Sequence, residues 1–262
     1  METVHWLWKR VRQKLMDRPY GRNEVLAERY QIKKVLQNGS YGIIYLCKDL
    51  NAGDTCVVKQ MRKSKGKENK ENYEEETSIL QRLKHPGIPA LTETFSFDGE
   101  AFFSMEFFEG KNIEDTLFAS NQKYSEKECL ELVKKLMGIV CYIHQNDVFH
   151  GDIRIPNVLL HEGEVHLIDF GLAHTLDTKD HVQRERLARD DFFDVGDFLL
   201  FLLYSSYEGD TKRNRPWTEE LTLHPLTTKL LKRLLEMEPP YNNGEEILGA
   251  LEQVLARISS RH

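Results

Sequence analysis

The chain contains His150-Gly151-Asp152-Ile153-Arg154-Ile155-Pro156-Asn157, and Ile168-Asp169-Phe170-Gly171 follows it closely. Apolar residues flank both stretches, which predicts that their acidic residues lie at the ends of short buried strands. Carboxylates in such places cost free energy unless they have partners, so they indicate a functional site. Asp152 could take a proton from a hydroxyl group, whereas Asn157 and Asp169 offer the oxygen ligands that Mg²⁺ prefers. Each stretch alone could still be a simple turn.

Two features upstream extend this pattern. Gly39-Ser40-Tyr41-Gly42 connects two β-rich runs, and its glycines would let backbone amides approach phosphate oxygens. The turn chemistry alone fits an ordinary hairpin equally well. Lys59 ends an apolar strand and needs an anionic partner, for which Glu76 on the next helix is the candidate. Taken singly, Lys59 could instead be a surface lysine whose stem covers apolar neighbours.

The order of local patterns predicts an α+β fold. Strand-like runs dominate residues 30–107, with a charged connection at 63–72 followed by one helix. The second half is mainly helical, and Ser125-Glu126-Lys127-Glu128 is a capping box that opens one of its helices. Residues 191–204 are apolar nearly all round, which predicts a buried central helix. A terminal amphipathic helix is expected over residues 247–258.

The composition excludes several classes of protein. A chain of 262 residues with 40% hydrophobic and 30% charged residues is globular, with one large domain or two lobes. Its longest apolar run, 198–204, falls far short of the ~20 residues that span a bilayer. The four cysteines lack a CxxC spacing, so we expect reduced structural thiols in a cytoplasmic protein and no zinc site. The net charge of −6 gives no reason to expect nucleic-acid binding.

Residues 1–22 differ in charge from the rest of the chain. Six basic residues against two acidic ones give them a net charge of +4, which leaves −10 for the remainder. Residues 4–15 place apolar side chains on one face of a predicted helix and basic side chains on the other. The apolar stripe could dock on the rest of the protein or on a second subunit. Alternatively, the helix could lie on an anionic membrane surface and make the protein peripheral to the membrane.

Together, the motifs resemble the signature of the eukaryotic-type protein kinase family over about residues 30–258. Within this family the chain resembles small soluble bacterial Ser/Thr kinases with a His-Gly-Asp catalytic loop and a short activation segment. This resemblance implies a bilobal α+β fold, with a β-rich N-lobe that carries helix C and a mainly helical C-lobe. The implied domains are a basic extension at 1–29, the N-lobe at 30–105, and the hinge with the C-lobe at 106–262.

The resemblance also implies roles for individual side chains. Asp152 matches the catalytic aspartate, and Lys59 matches the lysine that contacts the α- and β-phosphates of ATP. Glu76 matches the helix-C partner of that lysine. Arg154 stands where a lysine is common and could still neutralise the γ-phosphate. Asp191 resembles the buried aspartate that braces the catalytic loop.

The same resemblance implies two cofactors, ATP and Mg²⁺. Asn157 and Asp169 match the two metal ligands. Met105 matches the gatekeeper at the start of the adenine-contacting hinge. The implied nucleotide-binding residues are Leu36, Gly39, Ser40, Tyr41, Gly42, Ile44, Lys59, Met105, Glu106 and Phe107.

The chain departs from the family pattern at three places. Gln37 stands where the first loop glycine is usual, which predicts weaker ATP affinity with binding retained. Gly151 replaces an arginine that normally receives an activation-loop phosphate, so that form of switching is not expected. No Ala-Pro-Glu occurs between Asp169 and Asp191, and the arginine that usually pairs with its glutamate is also missing. Removing only one partner of a buried ion pair leaves an uncompensated charge, which costs ~3–5 kcal/mol. The loss of both partners together therefore indicates a coherent variant.

Three functions remain open on these grounds. The leading one is an ATP- and Mg²⁺-dependent kinase that phosphorylates Ser or Thr on proteins, including itself. The His-Gly-Asp loop and the missing Ala-Pro-Glu also fit a small-molecule or RNA-linked phosphotransferase, although no insertion large enough for a substrate-binding subdomain is visible. The third is a non-catalytic nucleotide-binding scaffold, and the complete set of motif residues argues against it.

Overall fold

The computed structural model describes residues 19–39, 42–62, 66–113, 123–176, 180–209 and 215–259. They form two compact units. The first unit comprises the described residues up to Lys84 together with Pro89–Phe108, and the second comprises His85–Ile88 and the described residues from Glu109 onward. The helix predicted over residues 4–15 lies outside the described residues. The lobe boundaries given above stay a prediction.

The first unit is built on a six-stranded antiparallel sheet in the order β1-β2-β3-β4-β6-β5. Its strands are β1 (Val25–Leu26), β2 (Tyr30–Asn38), β3 (Gly42–Asp49), β4 (Thr55–Met61), β5 (Leu91–Phe97) and β6 (Glu100–Glu106). Aromatic and β-branched side chains of these strands form the core, among them the fully buried Tyr45, Val58 and Phe102. The prediction that strand-like runs dominate residues 30–107 is therefore confirmed.

Helix α1 (Gly66–Arg82) follows β4. The prediction of a charged connection over residues 63–72 was wrong in part, because the helix already begins at Gly66. Its first turns contain unbranched Lys and Glu side chains, which favour helix, and Lys70 pairs with Glu74 one turn later at 3.7 Å. This part of the helix has a polar sequence without apolar periodicity, so its periodicity could not predict a helix.

The second unit is mainly helical. Its short strands are β7 (Lys111–Asn112), β8 (Val148–Phe149), β9 (Val158–His161), β10 (Glu164–Leu167) and β11 (His174–Thr175). Its helices are α2 (Glu126–Gln145), α3 (His181–Tyr204), α4 (Trp217–Glu220), α5 (Pro225–Leu234) and α6 (Gly244–Ser259). None of the described helices combines the length and apolarity needed to cross a membrane.

The capping box predicted before α2 is present. Ser125 Oγ accepts from the Glu128 amide at 3.3 Å, and the Glu128 carboxylate accepts from the Ser125 amide at 2.7 Å. The face that α2 buries includes the apolar positions read from the sequence, such as Leu132, Leu136 and Val140. Capping and amphipathicity therefore determine where this helix begins and which face packs inward.

Helix α3 is longer than the sequence pattern predicted. The buried helix expected over 191–204 begins at His181, where the Asp180 side chain caps it by accepting from the Gln183 amide at 3.0 Å. Arg184 in its first turns donates to the His144 carbonyl at 2.8 Å and to the Asp147 carboxylate. The added turns are charged, so their helical character depends on capping and on these contacts with the end of α2.

Arg29 ties the beginning of β2 to the end of β3. Its guanidinium donates to the Asp49 carboxylate (Nε–Oδ1 2.9 Å, Nη2–Oδ2 2.6 Å) and to Glu93 Oε2 at 2.7 Å. Asp49 is buried, and the hydrogen bonds from Arg29 hold the pKa of its carboxyl down at about 2. The pair therefore stabilises the folded state only while Asp49 is ionised.

We predict that this carboxylate makes stability pH-dependent in acid. Because the folded-state pKa is depressed from 3.8 to about 2, its contribution is full above pH ~4 and is lost as pH falls through ~2. Asp49→Asn should lower the free energy of unfolding by about 1–2 kcal/mol at pH 7, allowing for the solvent exposure of Arg29, and should show a smaller decline between pH 4 and 2. Urea denaturation at several pH values measures both effects. An identical acid profile in the variant and the wild type would contradict this account.

Candidate active site

The topology of the second unit brings two predicted metal ligands side by side. Strands β9 and β10 pair so that Val158 lies opposite Leu167. One step beyond this pair, the Ile168 amide donates to the Asn157 carbonyl at 2.9 Å. Asn157 and Asp169 therefore lie at the same end of the β9–β10 hairpin, one next to each of its two strands. The backbone of Asp169 has φ +64°, a conformation that is strained for a residue with a side chain.

Asp152 lies within hydrogen-bond reach of Asn157 and Arg154. Asn157 Nδ2 donates to Asp152 Oδ2 at 2.8 Å and to the Asp152 carbonyl at 2.9 Å. Arg154 Nε lies 3.0 Å from Asp152 Oδ1, and the Asp152 side chain stays 22% exposed. The Asp152 carboxylate is thus oriented by its neighbours and still accessible to solvent.

The same hydrogen bonds assign the atoms of Asn157. Since its amide nitrogen donates to Asp152, its oxygen Oδ1 is the atom left to ligate a cation. In the described part of the chain, no group of three or more His, Cys, Asp or Glu side chains is placed to hold a metal ion. Two oxygen ligands, one amide and one carboxylate, fit Mg²⁺, which keeps several waters and takes further oxygens from substrate phosphates.

Asp191 holds the catalytic loop from α3. The carboxylate is fully buried, and it accepts from the His150 amide at 2.9 Å and from the Gly151 amide at 2.8 Å. His144 Nε2 on α2 lies 2.8 Å from Asp191 Oδ2. The predicted contact between Asp191 and the catalytic loop is therefore confirmed.

Gly151 adopts a backbone conformation that suits glycine. Its φ is +70°, and a Cβ at this position would lie 3.0 Å from the Leu172 carbonyl oxygen. A larger residue would need both a left-handed backbone and a shift of the segment after Asp169. The local geometry at Gly151, where an arginine is usual in the family pattern, is therefore unfavourable for any side chain.

The first unit forms the predicted ion pair. Lys59 Nζ on β4 lies 2.7 and 2.8 Å from the two carboxylate oxygens of Glu76 on α1. Each side chain is only 3% exposed. Mutual neutralisation allows both charges to be buried, and it couples the helix to the sheet.

Gly39 and Gly42 lie at the end of the β2–β3 hairpin, where the Gly39 amide donates to the Gly42 carbonyl at 3.0 Å. A Cβ on Gly42 would lie 2.6 Å from the Gln60 carbonyl oxygen, so β3 can approach β4 this closely only with glycine. Arg62 Nε donates to the Gly39 carbonyl at 2.7 Å, and Arg62 also donates to the Asn38 side chain. Ser40 and Tyr41 lie outside the described residues.

The remaining predicted nucleotide-binding residues belong to the first unit as well. Ile44 lies opposite Lys59 on the neighbouring strand, and Leu36 on β2 is exposed. Met105 is buried opposite Val57, whereas Glu106 ends β6, where its amide donates to the Ala90 carbonyl at 2.9 Å. Phe107 follows Glu106 and is half-buried.

Comparison with known proteins gives the family. Residues 30–190 match the model of the protein kinase domain. The chain belongs to the eukaryotic-type serine/threonine protein kinase family. It is 40% identical over 253 residues to the probable serine/threonine-protein kinase YbdM of Bacillus subtilis, which covers 96% of this chain and 99% of that protein. The predicted family and the predicted kinase fold class are thereby confirmed.

Two eukaryotic relatives match a shorter part of this kinase. It is 32% identical over 154 residues to the serine/threonine-protein kinase cds1 of Schizosaccharomyces pombe. It is 33% identical over 149 residues to myosin light chain kinase A of Dictyostelium discoideum. These matches cover 56% and 55% of this chain, but only 33% and 50% of the two relatives.

His150 contributes to the kinase site in a way that the sequence analysis missed. Its Nδ1 accepts from the Asp152 amide at 3.3 Å, so Nε2 carries the proton and donates to the Ile168 carbonyl at 3.2 Å. Burial lowers the pKa of this imidazole, so the ring is neutral at pH 7. It therefore links the catalytic loop to the segment that carries Asp169. Its position before Gly151-Asp152 gave no signal of this bridging role.

We predict that the buried ion pair of this kinase is worth far more than a surface pair. Glu76→Gln should lower the free energy of unfolding by ~3–5 kcal/mol, because the buried Lys59 ammonium group would lose the carboxylate that lies 2.7 and 2.8 Å from it. The double variant Lys59→Met/Glu76→Gln should recover part of this loss, since both charges of the pair are then removed together. Glu164→Gln, which removes the exposed pair with Lys135, is the control and should leave the free energy of unfolding nearly unchanged. Urea denaturation measures all three, and equal losses for Glu76→Gln and Glu164→Gln would refute the interpretation.

Proposed function

We propose that this kinase transfers the γ-phosphoryl group of ATP, in the presence of Mg²⁺, to Ser or Thr hydroxyls of proteins, including its own chain. The observation that carries the proposal is the accessible Asp152 carboxylate, which is oriented by the amide of Asn157. Asn157 itself lies beside Asp169 at the end of one hairpin. The name of the B. subtilis relative, a probable serine/threonine-protein kinase, supports a protein acceptor.

Asp152 is the proposed catalytic base. Held at Oδ2 by Asn157, its carboxylate would orient the acceptor hydroxyl and take its proton as the new O–P bond forms. Asn157 Oδ1 and the Asp169 carboxylate would hold Mg²⁺, which when bound offsets negative charge on the phosphate oxygens. Arg154 is largely exposed beside Asp152, so its guanidinium could turn to the γ-phosphate.

The first unit would supply the nucleotide contacts. Lys59, positioned by Glu76, would bind the α- and β-phosphates through its ammonium group. Backbone amides of the turn at residues 39–42 would approach the phosphates, and Arg62 supports that turn through the Gly39 carbonyl. The adenine would contact the side chains and backbone of Leu36, Ile44, Met105, Glu106 and Phe107.

One observation favours a small-molecule acceptor as the second candidate. Helix α3 begins at His181, only ten residues after Gly171, so little chain is left for the platform on which protein kinases usually bind a peptide. A radiolabelled ATP assay with protein acceptors beside a panel of metabolites distinguishes the two candidates. Label in the metabolites alone would replace the protein-kinase proposal.

We predict that Asp152→Asn lowers turnover by ~10²–10⁴, the usual contribution of a general base, and leaves nucleotide affinity nearly unchanged. Asp54→Asn, which removes an exposed carboxylate from the turn after β3, is the control and should retain full activity. Mass spectrometry after incubation with Mg-ATP identifies the phosphorylated side chains, and Asp169→Ala should abolish them. Unchanged phosphotransfer in Asp152→Asn would remove this residue from the mechanism.

The cysteines support a cytoplasmic location. All four are free and buried, and burial raises the pKa of Cys47 and Cys129 to about 12 and of Cys56 and Cys141 to about 11. Thiols in this state serve as small apolar core groups and do not react readily, as is usual in a reducing compartment.

Residues 1–22 are proposed to mediate either self-association or binding to an anionic membrane surface. Their charge of +4 and their apolar stripe support both possibilities. Co-sedimentation of the full chain and of a 23–262 truncation with anionic vesicles separates them. Loss of sedimentation on truncation indicates membrane binding. Equal behaviour rules it out, and light scattering of the two proteins then tests self-association.

A further inference from the structure

The catalytic loop is bonded to α3 at two points, one on each side of Asp152. On the side that precedes it, the Asp191 carboxylate accepts from the His150 and Gly151 amides. On the side that follows it, Asp194 Oδ2 accepts from the Ile153 amide at 3.1 Å. Asp191 and Asp194 are three residues apart, so they lie on the same face of the helix.

The second tether matters because the first one ends at a flexible position. Gly151 has φ +70° and no side chain, so rotation about its backbone is less restricted than at any other residue type. Asp152 follows directly. The hydrogen bond from Ile153 to Asp194 restrains the backbone beyond this glycine, and thereby restrains the direction in which the Asp152 side chain points.

The surroundings of Asp194 do not favour a purely structural role for its charge. The side chain is half-buried, and burial is the main cause that raises its pKa to about 6, with Asp191, Asp152 and Asp197 adding to the effect. When folding raises the pKa of an acid, the contribution of that acid to the free energy of unfolding falls as pH rises through the raised pKa. Its ionised form therefore does not stabilise the fold at neutral pH, while it still accepts the Ile153 amide.

The packing of α3 does not depend on this carboxylate. The helix buries a continuous apolar face that includes Phe192, Val195, Phe198 and Leu199. Asp194 also lines an open pocket of about 430 Å³ with Gly151 and Leu172 among its walls. Water in this pocket could replace a lost side chain, so substitution at Asp194 should leave the helix in place.

We propose that Asp194 is a positioning residue for phosphoryl transfer: together with Asp191 it clamps the backbone on both sides of Asp152 and so orients the Asp152 carboxylate toward the acceptor hydroxyl. This proposal rests on the proposed function, in which Asp152 is the catalytic base. Asp194 itself acts through the Ile153 amide and does not contact the reacting atoms.

The test compares Asp194→Ala, Asp194→Asn and Asp197→Asn in the full chain. Asp197 is exposed on the same helix and serves as the control. Asp194→Ala should lower kcat by ~10- to 100-fold, because a misplacement of ~1 Å at a reacting group can cost ~10²-fold. The KM for ATP should stay within about twofold, since the nucleotide contacts lie elsewhere. Asp194→Asn keeps a carbonyl oxygen for the Ile153 amide and should restore most of kcat.

Two further measurements separate positioning from stability and from the proposed function. The free energy of unfolding of Asp194→Ala at pH 8 should equal or exceed that of the wild type, whereas a structural role requires a loss. In the Asp152→Asn background, Asp194→Ala should cause no further decrease in kcat, because both changes remove the same function.

The outcomes are distinguishable. Full turnover in Asp152→Asn would overturn the proposed function. A strong effect of Asp152→Asn with wild-type kcat in Asp194→Ala would overturn the positioning role alone. Equal losses of kcat in Asp194→Ala and Asp194→Asn, accompanied by reduced stability, would also overturn it.

Discussion

A single buried carboxylate, that of Asp191, organises the second unit. A charge with no solvent exposure is tolerated only when donors satisfy it, and here two loop amides and His144 supply them. Because these donors come from the end of α2 and from the catalytic loop, the satisfaction of one charge fixes three segments relative to one another. The orientation of Asp152 depends on that arrangement, since Asp152 follows the second of the two amides directly.

The first unit uses the same principle with an ion pair. Lys59 and Glu76 are both nearly inaccessible to water, and the charge of each offsets the cost of burying the other. Their contact couples α1 to the sheet, whereas the close approach of Gly42 to Gln60 holds the beginning of β3 against β4. In each unit a costly buried charge thus determines the position of a proposed functional group.

The departures from the kinase pattern agree with one another physically. No Ala-Pro-Glu occurs between Asp169 and Asp191, α3 already begins at His181, and Arg184 in its first turns binds the end of α2. Gly151 stands where other kinases have an arginine that receives an activation-loop phosphate, and no such phosphate is expected here. Asp194 restrains the backbone on the far side of Asp152. A shortened segment, a glycine and an additional acidic tether therefore form a consistent alternative to the usual arrangement.

The sequence alone determined much of the local structure and which residues are proposed for the site. Strand periodicity, the capping box at Ser125 and the ordered motifs were sufficient to predict the α+β fold and the Lys59–Glu76 pair. They also indicated the residues proposed for metal binding and for proton transfer, because all of these features depend on residue type and spacing. The early start of α3, the bridging role of His150 and the tether at Asp194 were decided only by tertiary structure. Each depends on a hydrogen bond to a backbone group distant in the chain, and such a partner leaves no periodic signal in the sequence.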